Sequence, residues 1–177
     1  DKSIAGVSLG RTFGIEMAKA NKEVKFGLIP CAVGGTPIRR WQQKGDLYKA
    51  ALKRAKIAQK GGVIRGILWH QGESDSGKEE LAKIYETQLH AMVTAWRKDL
   101  RSESIPVVVG ELGQFFKSAK FKGTVDNALK ALPEKIKHTG WVSARDLEHK
   151  GDVVHFNAAS YREFGKRYAA KLQTLIK

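Results

Sequence analysis

The chain has 177 residues, 42% of them hydrophobic, enough for one domain with its own core and too few for two. No apolar run reaches the ~20 residues that cross a bilayer, and the single cysteine, Cys31, excludes an internal disulfide. The 32 Lys and Arg against 18 Asp and Glu leave a formal charge of +14; this suits a polyanionic partner such as nucleic acid or an acidic glycan, and more readily a solvated face, since lysines recur along a helix-like segment (Lys49, Lys53, Lys56, Lys60).

Residues 8–21 read as a helix, with Leu9, Phe13, Met17 and Ala20 on one stripe. Residues 24–30 follow as a buried strand, and Gly34, Gly35, Thr36 and Pro37 then form a tight turn. A helix over 46–60 sets Leu47, Ala50, Ala51, Leu52 and Ile57 against numerous lysines. The second strand, 63–69, is apolar until it stops in His70-Gln71-Gly72-Glu73-Ser74-Asp75. A long amphipathic helix over 79–100 turns Leu81, Ile84, Tyr85, Leu89, Met92, Val93 and Trp96 inward. Residues 105–110 are the third strand, and its end carries Glu111, Gly113 and Gln114.

A helix over 124–138 is interrupted by Pro133, and 141–144 is a short fourth strand. A polar loop over 145–156 precedes the last helix, about 158–175, for which Asn157 is the N-cap. Strands alternating with helices over the whole length imply an α/β domain, residues 1–177, with a parallel sheet covered on both faces. There is no linker, repeat or low-complexity segment.

In such sheets ligands bind at the carboxyl edge of the strands. The corner after residue 69 therefore draws attention first. Gln71 can donate from its amide, Glu73 can accept, and His70 is a second candidate base if the strand turns it to the rim. Asp152-Val153-Val154-His155 lies on a loop after a strand end, so it belongs at the same rim. A carboxylate there can accept from the ring Nδ1–H and leave Nε2 as a base. Gly34 and Gly35 also follow a strand; they form either a plain left-handed turn or a site into which backbone N–H groups point. Gly6-Val7-Ser8-Leu9-Gly10 fits the G-x-S-x-G elbow, but a strand should precede that motif and only five residues do. No His or Cys pattern has metal-ligand spacing and no phosphate-cradling glycine motif appears, so neither a metal nor a cofactor is expected.

Together, AVGGTPIRRW (32–41), ILWHQGESD (67–75), IPVVVGELG (105–113) and GDVVHFNAASYREFGKRYA (151–169) resemble the sialate O-acetylesterase and acetyl xylan esterase group of the SGNH-hydrolase superfamily, carbohydrate esterase family 6. The likeness runs over essentially the whole chain. It implies a flavodoxin-like three-layer α/β/α fold with a five-stranded parallel sheet, and an acetylated carbohydrate as substrate. It implies that His155 is the base, with Asp152, and Glu73 in some members, supporting it; that Gln71 and the Gly35 N–H are oxyanion donors; and that Trp41 and Arg39 or Arg40 meet the sugar. For Trp41 a packing role remains the other reading. Export to the periplasm or outside the cell is the expectation for such an esterase, with no membrane and no nucleic-acid partner.

One departure stands out. In that family the nucleophilic serine sits in a G-Q-S-N type block after the first strand, upstream of everything seen in this chain. Ser8 falls where a glycine usually stands in a later segment. The expectation is an esterase lacking its first strand and its serine, with both supplied by an N-terminal fragment of the same precursor. In the 2-1-3-4-5 strand order this leaves a gap between 24–30 and 63–69.

Overall fold

The computed structural model describes residues 6–176. Its elements are α1 (Leu9–Ala20), a 3-10 turn (Ile38–Trp41), α2 (Asp46–Ala58), β1 (Ile67–Trp69), a second 3-10 turn (Glu73–Asp75), α3 (Glu79–Asp99), β2 (Val107–Gly110), α4 (Lys122–Lys135), β3 (Thr139–Val142) and α5 (Ala158–Leu175). The sheet is parallel, in the order β1-β2-β3, with Ile67 opposite Val107 and Gly110 opposite Val142.

The central strand explains the layering. All four residues of β2 are buried, and their side chains alternate between faces. Val107 and Val109 join the core under α2, α3 and α4, whereas Val108 joins the one under α1 and α5. Helices thus cover both faces, as a parallel sheet requires.

Three glycines bring α5 down onto the sheet. A Cβ on Gly110 would stand 2.2 Å from the Tyr168 hydroxyl, one on Gly140 2.7 Å from Lys171, and one on Gly66 2.9 Å from Leu172. The close approach lets the Tyr168 hydroxyl donate to the Trp69 carbonyl at 2.7 Å. Gly165 does the same between helices, since its Cβ would lie 2.4 Å from the Leu9 carbonyl oxygen. The Asn157 side chain caps α5 by accepting from the Ser160 N–H at 2.8 Å.

Four strands were expected and three are found among the described residues. Residues 25–33 have no regular structure and pair with no strand. Apolar side chains in and just before this stretch stay in water in part, Leu28 at 47% exposure and Val24 at 55%. Yet Phe26 touches the α1/α5 core and Cys31 the opposite one, so the segment reaches both faces. What it lacks is a backbone partner. β1 is trimmed for the same reason, beginning at Ile67 while Val63 is 77% exposed. The alternation that turns the Ile67 N–H to the Pro106 carbonyl at 2.9 Å turns the Leu68 backbone groups the other way, where no strand lies among the described residues. β3 starts two residues earlier than expected, at Thr139, and Pro133 is tolerated near the end of α4.

Candidate active site

Each strand ends in a corner, and the corners are stapled to one another. After β1 the chain turns at Gly72, whose φ of 151° is left to glycine, and whose Cβ would stand 2.7 Å from Val125. The Asp75 carboxylate that follows is buried; its Oδ2 accepts from the Ile38 N–H at 3.0 Å and the Gln71 amide at 2.6 Å. Burial pushes the Asp75 carboxyl up, against these two hydrogen bonds. The Gln71 amide also donates to the Thr36 carbonyl at 2.9 Å. The glycine turn is thereby fixed beside the β1 corner, with Gly35 at φ 66° and its N–H donating to no group among the described residues.

The loop after β3 is built locally. His149 bridges Phe156, and the Lys150 N–H donates to the His155 carbonyl at 2.9 Å. Inside this closure Asp152 Oδ1 accepts from the Val154 and His155 N–H groups at 3.0 and 2.8 Å. Its other oxygen lies 2.6 Å from His155 Nδ1. The His155 N–H and imidazole hold the Asp152 carboxyl far below the usual carboxylate range. The tight turn puts Val153 at φ 54°, a left-handed conformation that a β-branched residue rarely takes. Nε2 of His155 is left without a partner among the described residues, on a side chain 55% exposed.

The two corners meet through Phe156. Buried next to His155, its ring lies 5.5 Å from that of His70 and 5.2 Å from Phe164. The strand turns His70 inward, and burial holds its imidazole below the ordinary value of 6.5 against the pull of Glu73 and Asp126. Glu73 lies 3.8 Å from His70 Nε2 and makes no hydrogen bond to His155 among the described residues. It sits close enough to Tyr161 for both it and Asp152 to raise the phenol, after burial, which acts most.

Two residues expected to meet sugar do otherwise. Trp41 is buried, edge-on to Trp69 at 5.4 Å, and its indole N–H donates to Thr36 Oγ1 at 3.1 Å. It packs the core beneath the glycine turn. The Arg40 guanidinium is held by Asp46 at the start of α2, at 3.0 and 2.5 Å. Arg39 is exposed and hydrogen-bonded to nothing among the described residues, close enough to Asp75 for its charge to lower that carboxyl. Ser8 precedes α1 and its hydroxyl reaches no imidazole among the described residues.

Some of the architecture had no signal in the residue pattern. Asp75 lies inside the HQGESD stretch, yet its role as a clamp depends on Ile38. Tyr85, on the inward stripe of α3, donates to the Gln71 carbonyl at 2.8 Å and receives the Trp69 indole N–H at 3.2 Å. Glu111 ties β2 to β3 by accepting from the Ser143 hydroxyl and the Ala144 N–H at 2.8 and 2.7 Å.

A parallel sheet between two helical layers, with an Asp–His pair and a glycine turn at its carboxyl edge, is the fold shared with SGNH-type esterases. The chain belongs to the carbohydrate esterase, sialic acid-specific acetylesterase family, whose model matches residues 1–174. It is 30% identical over 166 residues to a probable carbohydrate esterase of Arabidopsis thaliana, covering 92% of this chain and 62% of that protein. The chain thus spans about three fifths of the length of that curated relative. An X-ray structure of an Arabidopsis thaliana protein of the same locus superposes with a TM-score of 0.90 at 28% identity, over 98% of this chain and 71% of that one. A carbohydrate acetylesterase from Xanthomonas citri shares the fold, with TM-score 0.79 and 21% identity, over 95% of this chain and 41% of its own. NanS shares it more distantly, with TM-score 0.61 and 16% identity over 76% and 54%.

Proposed function

We propose that this chain is the base-bearing part of a serine-type carbohydrate O-acetylesterase, of the kind acting on acetylated sialic acid or xylan, whose nucleophilic serine comes from an N-terminal segment outside this sequence. The observation that carries the reading is the Asp152–His155 pair, 2.6 Å apart, with Nε2 turned out at the rim and no hydroxyl bonded to it among the described residues.

In the assembled site His155 Nε2 takes the proton of the incoming serine as its oxygen attacks the acetyl carbonyl. The same nitrogen returns the proton to the departing sugar hydroxyl, and a water repeats the cycle on the acetyl-serine. Asp152 holds the ring with Nδ1–H toward itself and stabilises the imidazolium; Glu73 adds negative charge nearby. The tetrahedral oxyanion takes the Gly35 N–H, and the Gln71 amide adds a second donor by exchanging one of its present bonds. Arg39 is the rim residue left to meet the sugar.

The open edge of β1 is where the missing segment fits. The backbone donor and acceptor of Leu68 point away from β2, to the side where the 2-1-3-4-5 order puts the first strand, between β1 and the unpaired 25–33 stretch. A strand inserted there would end at the rim.

Loss of a triad nucleophile costs about 10⁶ in turnover. The chain alone should therefore be nearly inert on an aryl acetate and take no fluorophosphonate. Co-expressed with the N-terminal segment, it should turn over at ordinary rates, with the label on a serine of that segment. Full turnover by these 177 residues with the label on Ser8 would refute the proposal. A second reading, a glycan-binding relative without chemistry, is favoured by the lack of the family's serine block in these residues and opposed by the retained His155, Asp152, Glu73 and Gln71; it predicts sugar retention and no label in any combination.

A further inference from the structure

Helix α2 carries a stripe that the site does not use. Lys49, Lys53 and Lys56 follow one another at spacings of four and three, so they share one face of α2, and Lys60 follows in the turn after it. The three line a shallow depression with the fourth, and Leu52 and Ile57 form its floor, Ile57 being 58% exposed. On the other side of the helix Tyr48, Ala51 and Ala55 are buried in the core. None of the four lysines has a salt-bridge partner among the described residues, although several lysines elsewhere in the chain do. The Asp99 carboxyl is held down first by the Tyr48 hydroxyl, at 2.7 Å, and by Gln43, with the charge of Lys56 adding to them.

Placing like charges at i, i+4 destabilises a helix, and Glu at one such position would remove the penalty. The stripe therefore presents unneutralised charge over about 10 Å of helix axis from Lys49 to Lys56, and on to Lys60 in the turn beyond. It begins one turn beyond Asp46, which Arg40 ties to the glycine turn at the rim. A polymer lying along it would run toward the candidate site.

We propose that this face of α2 holds an acidic polysaccharide, one with a carboxylate on its successive sugars, and feeds it toward the rim. The lysine ammonium is a point charge on a flexible stem, able to pair with successive carboxylates without a fixed geometry. The arginine fork serves carboxylates and phosphates alike, and the one arginine in α2, Arg54, stays out of the stripe by donating to the Pro30 carbonyl at 2.7 Å. No aromatic side chain lines the depression for base stacking. The choice of a glycan among polyanions rests on the esterase reading above; the charge stripe does not. Binding needs no nucleophile, so a failure of either idea can be told from a failure of the other.

The test is binding of the full chain to de-esterified polygalacturonate, with dextran as the neutral control. Four contacts with a linear polyanion predict roughly a fifty-fold loss of affinity between about 50 and 200 mM salt, on the slope for single strands. Changing Lys49, Lys53, Lys56 and Lys60 to Gln, which preserves helix propensity, should abolish most of the binding and flatten the salt slope. A control with Lys22, Lys117, Lys120 and Lys137 changed to Gln removes the same charge elsewhere and should bind as before. The pairs Lys49/Lys53 and Lys56/Lys60 can be changed separately, each with a partial loss, if the fourfold variant does not fold. Equal weakening in both fourfold variants would overturn the proposal, as would no binding at low salt. Tighter binding to single-stranded DNA or to phosphatidylglycerol vesicles than to polygalacturonate would overturn it too.

Discussion

At the scale of the residue, the site separates into groups that do chemistry and groups that hold them. Asp152 is of the first kind in the mechanism proposed above. Its two backbone bonds and its contact with Nδ1 fix both the loop and the tautomer of His155. In the assembled esterase Asp152→Asn should lower kcat about 10⁴-fold, as expected when the orienting carboxylate of a triad is lost; steady-state kinetics on an acetylated sugar would check it. Asp75 is of the second kind. Asp75→Ala strands the Ile38 N–H and one Gln71 N–H away from water, a cost of about 2 kcal/mol or more in chemical denaturation. His70 makes a prediction in pH. Its folded pKa lies below the unfolded 6.5, so the unfolded chain takes up a proton first as pH falls. The stabilisation from the neutral ring is complete above about pH 6.5 and is lost progressively below it. His70→Phe keeps the ring stacked on Phe156 and Phe164, and should flatten the fall in stability from about pH 6.5 to 5. An unchanged slope in denaturation curves across that range would count against it.

At the scale of the element, glycines decide how close the layers come. Gly165 admits α1 to α5, and Gly110 admits α5 to the sheet. Gly165→Ala forces a Cβ against a backbone carbonyl that cannot swing away, and should cost about 1 to 3 kcal/mol. Gly123→Ala in α4 is the contrast, since nothing lies within 4 Å of the added carbon; it should be neutral or stabilising by up to about 1 kcal/mol. Urea titration of the two variants would show the difference. The helices were legible in the sequence almost residue for residue, α5 and its Asn157 cap included, because a 3.6-residue apolar stripe and a capping side chain are local properties. The strands were less so. A run such as 24–30 has the right side chains, but a strand is a relation between two backbones.

At the scale of the whole molecule, β1 pairs with β2 on one edge and with no strand on the other among the described residues, and this should be visible in exchange. Val107, Val108 and Val109 are buried in the central strand, whereas the Leu68 N–H points to the side where no strand lies among the described residues. In native-state hydrogen exchange Leu68 should exchange fast beside slow neighbours in β2, and become protected once the N-terminal segment is added. Protection of Leu68 in the isolated chain would mean that the edge is already covered. The candidate site shares this character. HQGESD and D-x-x-H could be picked out along the chain, but Trp41 and Arg40 could not be told from rim residues there, because their neighbours in sequence say nothing of the Trp69 ring and the Asp46 carboxylate that claim them.

By itself the sequence determined the α/β class, the five helices, the loop that pairs an acid with a base three residues on, and the family likeness. These rest on local periodicity and on short motifs. Only the tertiary structure decided that His70 is buried, that Gln71 and Asp75 clamp the glycine turn, and that 25–33 remains unpaired. Those depend on which distant segments share a surface, and burial and hydrogen bonding across such surfaces have no signature in the order of residues alone.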